Sequence, residues 1–313
     1  MRWDDRIGRR IKLSDLHILL AVAQTRSMAK AASQLAMSHP VISRSISDLE
    51  RVLGVRLFER NRQGVELTNY GRALLDRSHA VFDELRQGVK EIEHLADPNA
   101  GEVKIGTTAP LAASFVFSVI DRLSGRHPAM VFNVVVDDTA SLTRSLNERR
   151  IELAIIRNSP PILDERLGFD RLFESPYVVA AGAQNRWAGR RRIALADLCE
   201  ELWALPAPGE AFGPFVEQAF RAKGLKMPRA TVVTSTLEMR ANLLRSGRYL
   251  TIFPEFWLRL PEPHPFIKKL SVDLSIGAGA IGIAALRGRG LSPVAQHFID
   301  CAHDVAKSLA SAK

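Results

Sequence analysis

Three short patterns in the sequence have a spacing that could do chemistry. Ser27 stands three residues before Lys30, the spacing with which serine acylases bring a lysine within reach of their nucleophile. Residues 277–282 read GAGAIG, which matches the glycine pattern of dinucleotide-binding loops. A third pattern is a run of short polar side chains that begins at Ser38 and could bring a helix close to DNA bases. Each pattern depends on the elements that would position it.

The elements predicted around the first two patterns argue against catalysis. The partner motifs Lys-Thr-Gly and Ser-Asp-Asn do not occur in the sequence, and Ser27 is expected to be the N-cap of a helix that starts at Met28. The glycines at 277–282 precede a predicted strand at 281–286, whereas a dinucleotide loop must follow its strand. We therefore predict that the protein is not an enzyme. A two-lobed enzyme is the alternative, and it would keep turning over after deletion of residues 1–97.

Metal and disulfide chemistry also lack support in the sequence. The eight histidines are scattered, and neither a Walker loop nor His-Glu-x-x-His occurs. Cys199 and Cys301 lie far apart and lack the Cys/Cys or Cys/His spacing of a metal site. We expect no metal site and no cofactor, and a reducing compartment suits two free cysteines.

Helical periodicities dominate the N-terminal residues. Apolar residues recur every three or four positions over 13–23, with Ser14 as the predicted N-cap, and a second short helix is predicted over 28–35. After a tight turn, Ser38 is expected to cap a third helix over 40–53, which has a proline in its first turn. Two helices joined in this way form a helix-turn-helix, whose second helix enters the major groove.

The third helix is predicted to have two different faces. Its inward face carries the apolar residues Val41, Ile42, Ile46, Leu49 and Val52. Its opposite face carries short or polar side chains, namely Ser38, His39, Ser43, Arg44 and Ser47. Short side chains would let this helix lie close to base edges in a groove.

A wing is predicted after the third helix. Strands over 55–58 and 65–67 would enclose a loop that carries Arg60 and Arg62. Guanidinium groups beside a groove-bound helix would meet phosphates or enter the minor groove, where the negative potential is strong. The alternative is a solvated charged hairpin.

Three segments of this region resemble LysR-type transcriptional regulators: AASQLAMSHPVISRSISDLE at 31–50, LGVRLFER at 53–60 and LTNYG at 67–71. The resemblance runs almost continuously over 13–71 and implies a winged helix-turn-helix that binds promoter DNA. The sequence departs from the family at His39, where glutamine is usual. The DNA-binding candidates are Ser27, Ser38, His39, Pro40, Ser43, Arg44, Ser47, Arg60 and Arg62.

One long helix is predicted over 69–96, with Thr68 as its N-cap. Its three–four spacing is that of a coiled-coil seam, which comprises Leu75, Ser78, Phe82, Leu85, Val89, Ile92 and Ala96. Pairing of two such helices would form a homodimer with recognition helices on successive half-sites. Packing against the chain's own core is the alternative. The resemblance implies dimerisation through this helix and assembly into a homotetramer.

Beyond a hinge at 97–101, strand-like runs alternate with helical ones, which is an α/β pattern. The predicted strands are 103–106, 131–136, 153–156, 177–181, 231–233, 251–253 and 281–286. The resemblance implies an effector-binding domain of the type II periplasmic-binding-protein fold. Its two Rossmann-like subdomains would be joined by strands crossing near Phe173 and Ser275, and its C-terminal helix would return to the first subdomain.

The predicted fold class is therefore multidomain. An all-α winged helix-turn-helix occupies 1–68, and a linker helix occupies 69–97. An α/β effector domain with two subdomains occupies 98–313, with subdomain I at about 101–173 and 275–313 and subdomain II at about 174–274.

Ligands of open α/β sheets bind beyond the carboxyl ends of the strands, so effector contacts are sought there. The candidates are Thr107, Thr108, Thr139, Arg157, Thr234, Ser235 and Phe253. An arginine in this position would suit a carboxylate or an aromatic acid. Helix N-capping is the alternative for the hydroxyl residues, a surface ion pair for Arg157, and core packing for Phe253.

Charge and composition bound the partners of the protein. The net charge is +9, and residues 1–67 carry 12 Lys and Arg against 7 Asp and Glu, a net +5, which favours a polyanion at the N-terminal end. No export signal or long apolar run is recognised, so we expect a cytoplasmic protein without membrane contact rather than a solute-binding protein. The expected partners are double-stranded operator DNA, a small-molecule effector and a second copy of the chain, with RNA polymerase as a further candidate.

Overall fold

In the computed structural model, residues 10–61, 64–158, 164–207, 213–259 and 264–311 are described. The chain forms two units, Met1–Val89 and Lys90–Lys313, and the division falls within one long helix. Each unit has its own apolar core. Within the described ranges, no helix is both long and apolar enough to cross a membrane.

The first unit is built on three short helices, α1 (Leu13–Thr25), α2 (Met28–Gln34) and α3 (His39–Leu53). Their facing sides bury Leu19, Val22, Ala31, Ile42 and Leu49 in one cluster. Small residues on α2 let the three helices approach closely. The arrangement confirms the predicted helix-turn-helix.

The start of α1 differs from the prediction. Lys12 is the N-cap, and its backbone N–H donates to the Asp15 carboxylate at 3.0 Å. Because Asp15 reaches back to the cap in this way, the helix begins before Ser14, which lies inside it. The prediction of Ser14 as N-cap was therefore wrong.

The apolar face of α3 is narrower than predicted. Ile42, Ile46 and Leu49 are buried, and Val52 is half-buried. Val41, which was predicted to point inward, is 45% exposed. The reason is the helical period, since Ile42 and Ile46 lie one turn apart on the core side and Val41 is rotated away from them by about 100°.

The wing is a two-stranded antiparallel sheet of β1 (Phe58–Asn61) and β2 (Gly64–Leu67). The first strand was predicted at 55–58 and therefore begins too early in the prediction. The residues just before Phe58 do not pair with a second strand among the described residues. The Glu50 carboxylate instead accepts the backbone N–H groups of Leu57 and Phe58 at 2.7 and 3.2 Å. Residues 62 and 63 lie outside the described ranges.

The long helix α4 (Asn69–Ala96) follows the wing and has the predicted bounds. Thr68 caps it, since its hydroxyl accepts the N–H of Gly71 at 3.0 Å. Gly71 is packed so closely that an added Cβ would lie 2.1 Å from the Leu57 carbonyl oxygen. Only glycine therefore lets α4 begin against the segment that leads into the wing.

The first sheet of the second unit contains five strands in the order β4-β3-β5-β12-β6. They are β3 (Ala100–Thr107), β4 (Ala129–Val136), β5 (Leu153–Arg157), β6 (Leu167–Ser175) and β12 (Gly279–Leu286). β3, β4 and β5 run parallel, and β12 is antiparallel to β5 and β6. The associated helices are α5 (Ala109–Leu111), a π turn (Ala112–Val116), α6 (Phe117–Ser124), α7 (Thr139–Asn147) and α11 (Pro293–Ser311).

The second sheet contains five strands in the order β11-β7-β10-β8-β9. They are β7 (Tyr177–Gly182), β8 (Leu202–Leu205), β9 (Ala230–Val233), β10 (Tyr249–Pro254) and β11 (Ile267–Lys269). β8 pairs in parallel with β9 and β10, whereas β7 is antiparallel to β10 and β11. The helices are α8 (Gly213–Ala222), α9 (Leu237–Leu244) and α10 (Glu255–Arg259), with a 3₁₀ turn at Leu195–Leu198.

The two sheets define two subdomains that the chain crosses twice. Pro176 alone separates β6 of the first sheet from β7 of the second, and the chain returns between β11 and β12. The C-terminal helix α11 packs on α6, β3 and β6 of the first subdomain. This confirms the predicted α/β effector domain with two subdomains and two crossings.

We expect Gly71→Ala to lower the free energy of unfolding of the first unit by about 2 kcal/mol or more, because the new methyl group meets a backbone carbonyl that cannot move aside. Gly88→Ala is the matched control, since it lies on the same helix with no atom near its added Cβ and gains up to about 1 kcal/mol of helix propensity. Hydrogen exchange of peptides from 10–61 reports this unit separately. Equal protection in Gly71→Ala and the unmodified chain would contradict the close approach of α4.

Candidate DNA-binding surface and effector cleft

The outer face of α3 carries most of the predicted DNA contacts. Ser38, His39, Pro40, Arg44 and Ser47 are exposed, whereas Ser43 is half-buried. The Ser47 hydroxyl donates to the Ser43 carbonyl at 2.9 Å, so its oxygen can still accept a bond from a base. The structure thus brings these six residues together on one helix, at its N-terminal half.

Two side-chain bonds fix the orientation of this helix. The Ser45 hydroxyl donates to Asp15 of α1 at 2.8 Å, and Glu50 near its other end holds the chain that enters the wing. Ser45 and Glu50 lie on the sides of α3, between its buried and exposed faces. Their bonds resist rotation of α3 about its own axis, which would otherwise exchange polar for apolar residues on the outer face.

Exposed apolar residues on this surface were missed by the sequence analysis. Val41 is 45% exposed in the first turn of α3, and Met37 is exposed in the turn before it. An apolar side chain beside polar ones in a groove can contact the thymine methyl group. The sequence did carry a signal for Val41. The buried residues of α3 follow a three–four spacing through Ile42, Ile46 and Leu49, and Val41 does not fall on that spacing.

The three other DNA-binding candidates, Ser27, Arg60 and Arg62, do not lie on α3. Ser27 is the N-cap of α2, and its hydroxyl oxygen accepts the N–H of Lys30 at 3.3 Å. The side chain of Arg60 and the whole of Arg62 lie outside the described residues, so the contribution of the wing stays a prediction.

In the second unit, the strand ends of the first sheet meet at one edge. Thr107 ends β3, Arg157 ends β5 and Ser175 ends β6, while Gly279 begins the antiparallel β12. Arg157 is paired with Ile281 in the ladder, which places its side chain beside the start of β12. The parallel arrangement therefore brings residues together that lie up to 172 positions apart in the sequence, from Thr107 to Gly279.

Arg157 lies at the junction of the two subdomains. It is 9% exposed, its Nη1 donates to the carbonyls of Ser175 and Gly279 at 2.8 and 3.1 Å, and its guanidinium lies 4.5 Å from the ring centre of Tyr177. Burial lowers the pKa of Arg157, although Tyr177 acts in the opposite direction. Nη2 is buried and has no hydrogen-bond partner among the described residues. A surface ion pair, the alternative considered above, does not describe this arginine.

A second arginine on the same side was not recognised from the sequence. Arg240 of α9 is buried, and its Nη1 donates to the Ile252 carbonyl at 3.1 Å. Burial raises the pKa of Tyr177, while Arg157 and Arg240 both oppose that rise, so both guanidinium groups lie close to the phenol. An arginine in the middle of a helix gives no periodic signal, which is why sequence patterns missed it.

The remaining effector candidates are dispersed among helix starts and the core. Thr107 is buried, and its hydroxyl donates to the Ile155 carbonyl at 3.0 Å. Thr108 is the N-cap of α5, Thr139 begins α7, and the Thr234 hydroxyl accepts the N–H of Thr236 at 3.2 Å. Ser235 is exposed, and Phe253 is fully buried against Trp257. Of these, only Thr107 lies on the same sheet edge as Arg157 and on the strand next to it.

Aromatic side chains meet where the two subdomains join. Phe173 of β6 contacts Phe115 of the π turn at a tilted angle and Phe256 of α10 edge-on, with ring centres 5.1 and 6.1 Å apart. They belong to one buried cluster that contains residues of both subdomains. The two subdomains therefore share a core at the crossing strands.

Comparison with protein families identifies both parts of the chain. Residues 13–72 match the bacterial regulatory helix-turn-helix protein model of the lysR family, and residues 96–307 match the LysR substrate binding domain. The chain belongs to the LysR family of transcriptional regulators. Such regulators combine a DNA-binding helix-turn-helix with an effector-binding domain, which are the two parts found here.

Curated relatives span the same length. The transcriptional regulator GbpR of Azospirillum brasilense is 29% identical over 295 residues, which cover 92% of this chain and 84% of the relative. The RuBisCO operon transcriptional regulator of Allochromatium vinosum is 26% identical and covers 92% of this chain and 94% of its own.

Solved structures share the fold of this LysR-family chain. A full-length OxyR variant from Pseudomonas aeruginosa has a TM-score of 0.66 with 22% identity and covers 96% of both chains. Full-length CbnR complexed with its target DNA has a TM-score of 0.54 with 20% identity and covers 95% of this chain and 100% of its own.

Ser27 of this LysR-family protein can be tested for two separate roles. Ser27→Ala should lower the free energy of unfolding by about 1 kcal/mol, because α2 loses its N-cap. Ser27→Asp keeps a capping oxygen but adds a negative charge, which would repel a nearby phosphate. We expect the aspartate variant to be as stable as the unmodified chain and to bind promoter DNA more weakly in filter binding. Unchanged DNA affinity in Ser27→Asp would leave Ser27 with the capping role alone.

Proposed function

We propose that this LysR-type regulator binds an interrupted inverted repeat through the outer face of α3 and responds to a small anionic effector bound beside Arg157. The observation that carries the DNA-binding part is the exposed polar face of a helix whose opposite face is buried against α1 and α2. Such a helix can enter the major groove without unfolding its core.

The chemistry of this face fits base reading. Arg44 is exposed and could bond guanine, while the hydroxyl oxygens of Ser43 and Ser47 could accept a bond from a base. Val41 would meet a thymine methyl group, and His39 replaces the glutamine usual in the family. Arg60 and Arg62 of the wing would add phosphate contacts, which are sequence-independent and weaken with salt.

A homodimer would be formed through α4. Its exposed apolar side chains recur every three or four residues, and Leu85, Val89, Ile92 and Leu95 are 50, 55, 68 and 77% exposed. A stripe of this kind needs a partner helix to leave water. Ser78 of the predicted seam is already buried within the chain. At that position the alternative interpretation applies, in which the helix packs against the chain's own core. Pairing of two such dimers would give the expected homotetramer.

The effector is proposed to be a carboxylate, with an aromatic acid as one form. Arg157 has one buried nitrogen that can donate and that meets no acceptor among the described residues, and leaving such a donor unpaired is costly. A carboxylate oxygen would supply that acceptor. Since Arg157 bonds carbonyls of both crossing strands, a ligand there would alter how the subdomains meet.

Regulation would then follow from linkage between the two sites. An effector that prefers one arrangement of the subdomains shifts that equilibrium, and operator affinity changes with it. The protein would act by binding rather than by catalysis, in the cytoplasm where promoter DNA lies, with RNA polymerase as a further partner.

Arg44→Ala should weaken binding to the protein's own promoter about tenfold or more, because a bidentate base contact contributes roughly 1–3 kcal/mol. Arg51→Ala is the matched control, since Arg51 lies on the same helix, is exposed and pairs with Asp48 near the C-terminal end of α3. Filter binding against a panel of operator variants measures both. Equal affinities of Arg44→Ala and Arg51→Ala for every variant would remove Arg44 from the base-reading surface.

Arg157→Met should abolish the stabilisation of the protein by small carboxylates in a thermal-shift screen of aliphatic and aromatic acids. The variant loses the donor that is proposed to bind the acid, whereas Arg157→Lys keeps a charge and should retain part of the shift. Arg289→Met is the matched control, because Arg289 is also buried and bonds the Ile151 carbonyl in another part of the unit.

An acid that stabilises the unmodified protein and Arg157→Met to the same extent would contradict the proposed anion contact. DNA affinity measured in the absence of acid distinguishes this failure from a failure of the DNA-binding surface. The two parts of the proposal are therefore tested separately.

A further inference from the structure

Three histidines from three different elements meet at the start of the second unit. His94 lies in the last turn of α4, His127 in the loop between α6 and β4, and His297 in α11. The ring centres of His94 and His297 are 5.8 Å apart, and those of His127 and His297 are 5.4 Å apart with nearly parallel planes. We call these three residues the histidine cluster. It lies outside the outer face of α3 and the sheet edge at Arg157, and His94 stands between Ile92 and Leu95 of the apolar stripe on α4.

The polar contacts of the cluster are few among the described residues. His127 Nδ1 lies 3.1 Å from the Asn99 side-chain oxygen, which can only accept a hydrogen bond. His94 Nδ1 is shielded from water and has no hydrogen-bond partner among the described residues. A proton added to this nitrogen would be a buried donor without an acceptor, which is costly.

The charges around the cluster also disfavour protonation. Burial lowers the pKa of His297, and His127 and His94 lower it further, while Asp300 on its own helix acts in the opposite direction. These rings and this carboxylate are the ionisable groups that act on His297 from α4, the α6–β4 loop and α11. A second positive charge in the cluster would lie only 5.4–5.8 Å from the first, which is the distance between neighbouring ring centres.

Neighbouring charges on the other elements are engaged elsewhere. On α4, the ammonium of Lys90 pairs with Glu152 and donates to the Glu102 carbonyl at 3.1 Å. Asp97, one turn after His94, accepts the N–H of Asn99 at 2.9 Å. Arg126 precedes His127 in its loop and is exposed, so it brings a further positive charge to that side.

The histidine cluster lies close to the boundary between the two units of the chain. Residues up to Val89 belong to the first unit, and Lys90 begins the second. The ion pair of Lys90 with the buried Glu152, and the contact of His94 with His297, attach the last turns of α4 to the second unit. The histidine cluster thus lies within two helical turns of the point where the chain passes from one unit to the other.

We propose that the histidine cluster is a proton-operated latch, which holds the end of α4 on the effector-binding unit while His297 is neutral and releases it when His297 becomes charged. The proton is the ligand we infer, because among the described residues no group of three or more His, Cys, Asp and Glu side chains is arranged to hold a metal ion. The opening and closing of the latch do not depend on DNA binding. Its effect on operator affinity rests on the proposed function.

The direction of the pH dependence follows from linkage. A histidine whose pKa is lowered in the closed state binds its proton more readily in the open state. The stability of the closed latch is therefore fully present above the ordinary histidine pKa, and it is lost as the pH falls from that value through the lowered pKa of His297 in the closed state. Acidification below about pH 6.5 should open the junction.

Hydrogen exchange of the full-length protein tests the latch directly. Peptides that cover 86–98 should exchange roughly threefold faster or more at about pH 5.5 than at about pH 7.5, after correction for the intrinsic rate. In His297→Gln the ring that links the other two can no longer be charged, so the ratio between the two pH values should fall close to one. His127→Gln, in an exposed loop, should reduce the ratio as well and serves if the first variant is poorly folded.

His303→Gln is the matched control, because His303 lies on the same helix but pairs with Asp170 away from the cluster. It should keep the ratio of the unmodified protein. An equal pH response in His297→Gln and the unmodified protein would overturn the proposal, and so would no response in the unmodified protein. Protection of 86–98 on addition of zinc or nickel chloride at about pH 7.5, lost in His297→Gln, would identify a metal site instead.

Operator affinity measured at the same two pH values separates the latch from the proposed function. Its ratio should differ between the unmodified protein and His297→Gln, and the comparison cancels any effect of pH on the DNA-binding surface itself. Failure of DNA binding at both pH values would count against the proposed function and would leave the exchange result intact.

Discussion

The burial of one face of α3 is the constraint on which the DNA-binding unit depends. Ile42, Ile46 and Leu49 are almost completely removed from water, and a rotation of α3 would exchange them for polar residues. Each such side chain contributes about 1.5–3 kcal/mol when buried, so the cost of rotation would exceed any single contact to DNA. The core therefore decides which residues lie on the outer face of α3, and the bonds of Ser45 and Glu50 hold that orientation.

In the effector-binding unit, backbone hydrogen bonds rather than apolar burial fix the position of the candidate side chain. Parallel strands end at one edge of a sheet, and the side chains there converge whatever their distance along the sequence. Arg157 is held at this edge by the carbonyls of Ser175 and Gly279, which belong to the two strands that meet the crossings. Its position therefore depends on how the subdomains are joined.

The helix α4 joins these two parts, and its ends are attached in different ways. At its start, Gly71 allows close contact with the carbonyl of Leu57 in the segment that leads into the wing. At its end, Lys90 is bonded to Glu152, whose pKa is lowered by the bonds from Lys90 and Ser292 despite burial, which by itself would raise it. A long helix fixed at both ends can carry a change from one unit to the other, provided that one of the attachments has two states.

Local pattern in the sequence was enough to predict the helices of the first unit, the bounds of α4 and seven of the ten described strands of the second unit, because apolar periodicity and capping act over a few residues. The strands predicted in this way did not include β6, β8 and β11. The polar face of α3 followed from the same periodicity. Tertiary structure decided what depends on partners distant in the chain. It buried Arg157 between two crossing strands, and it assembled His94, His127 and His297. These contacts join residues from 18 positions apart, for Arg157 and Ser175, to 203 positions apart, for His94 and His297, and they exist only once the chain has folded.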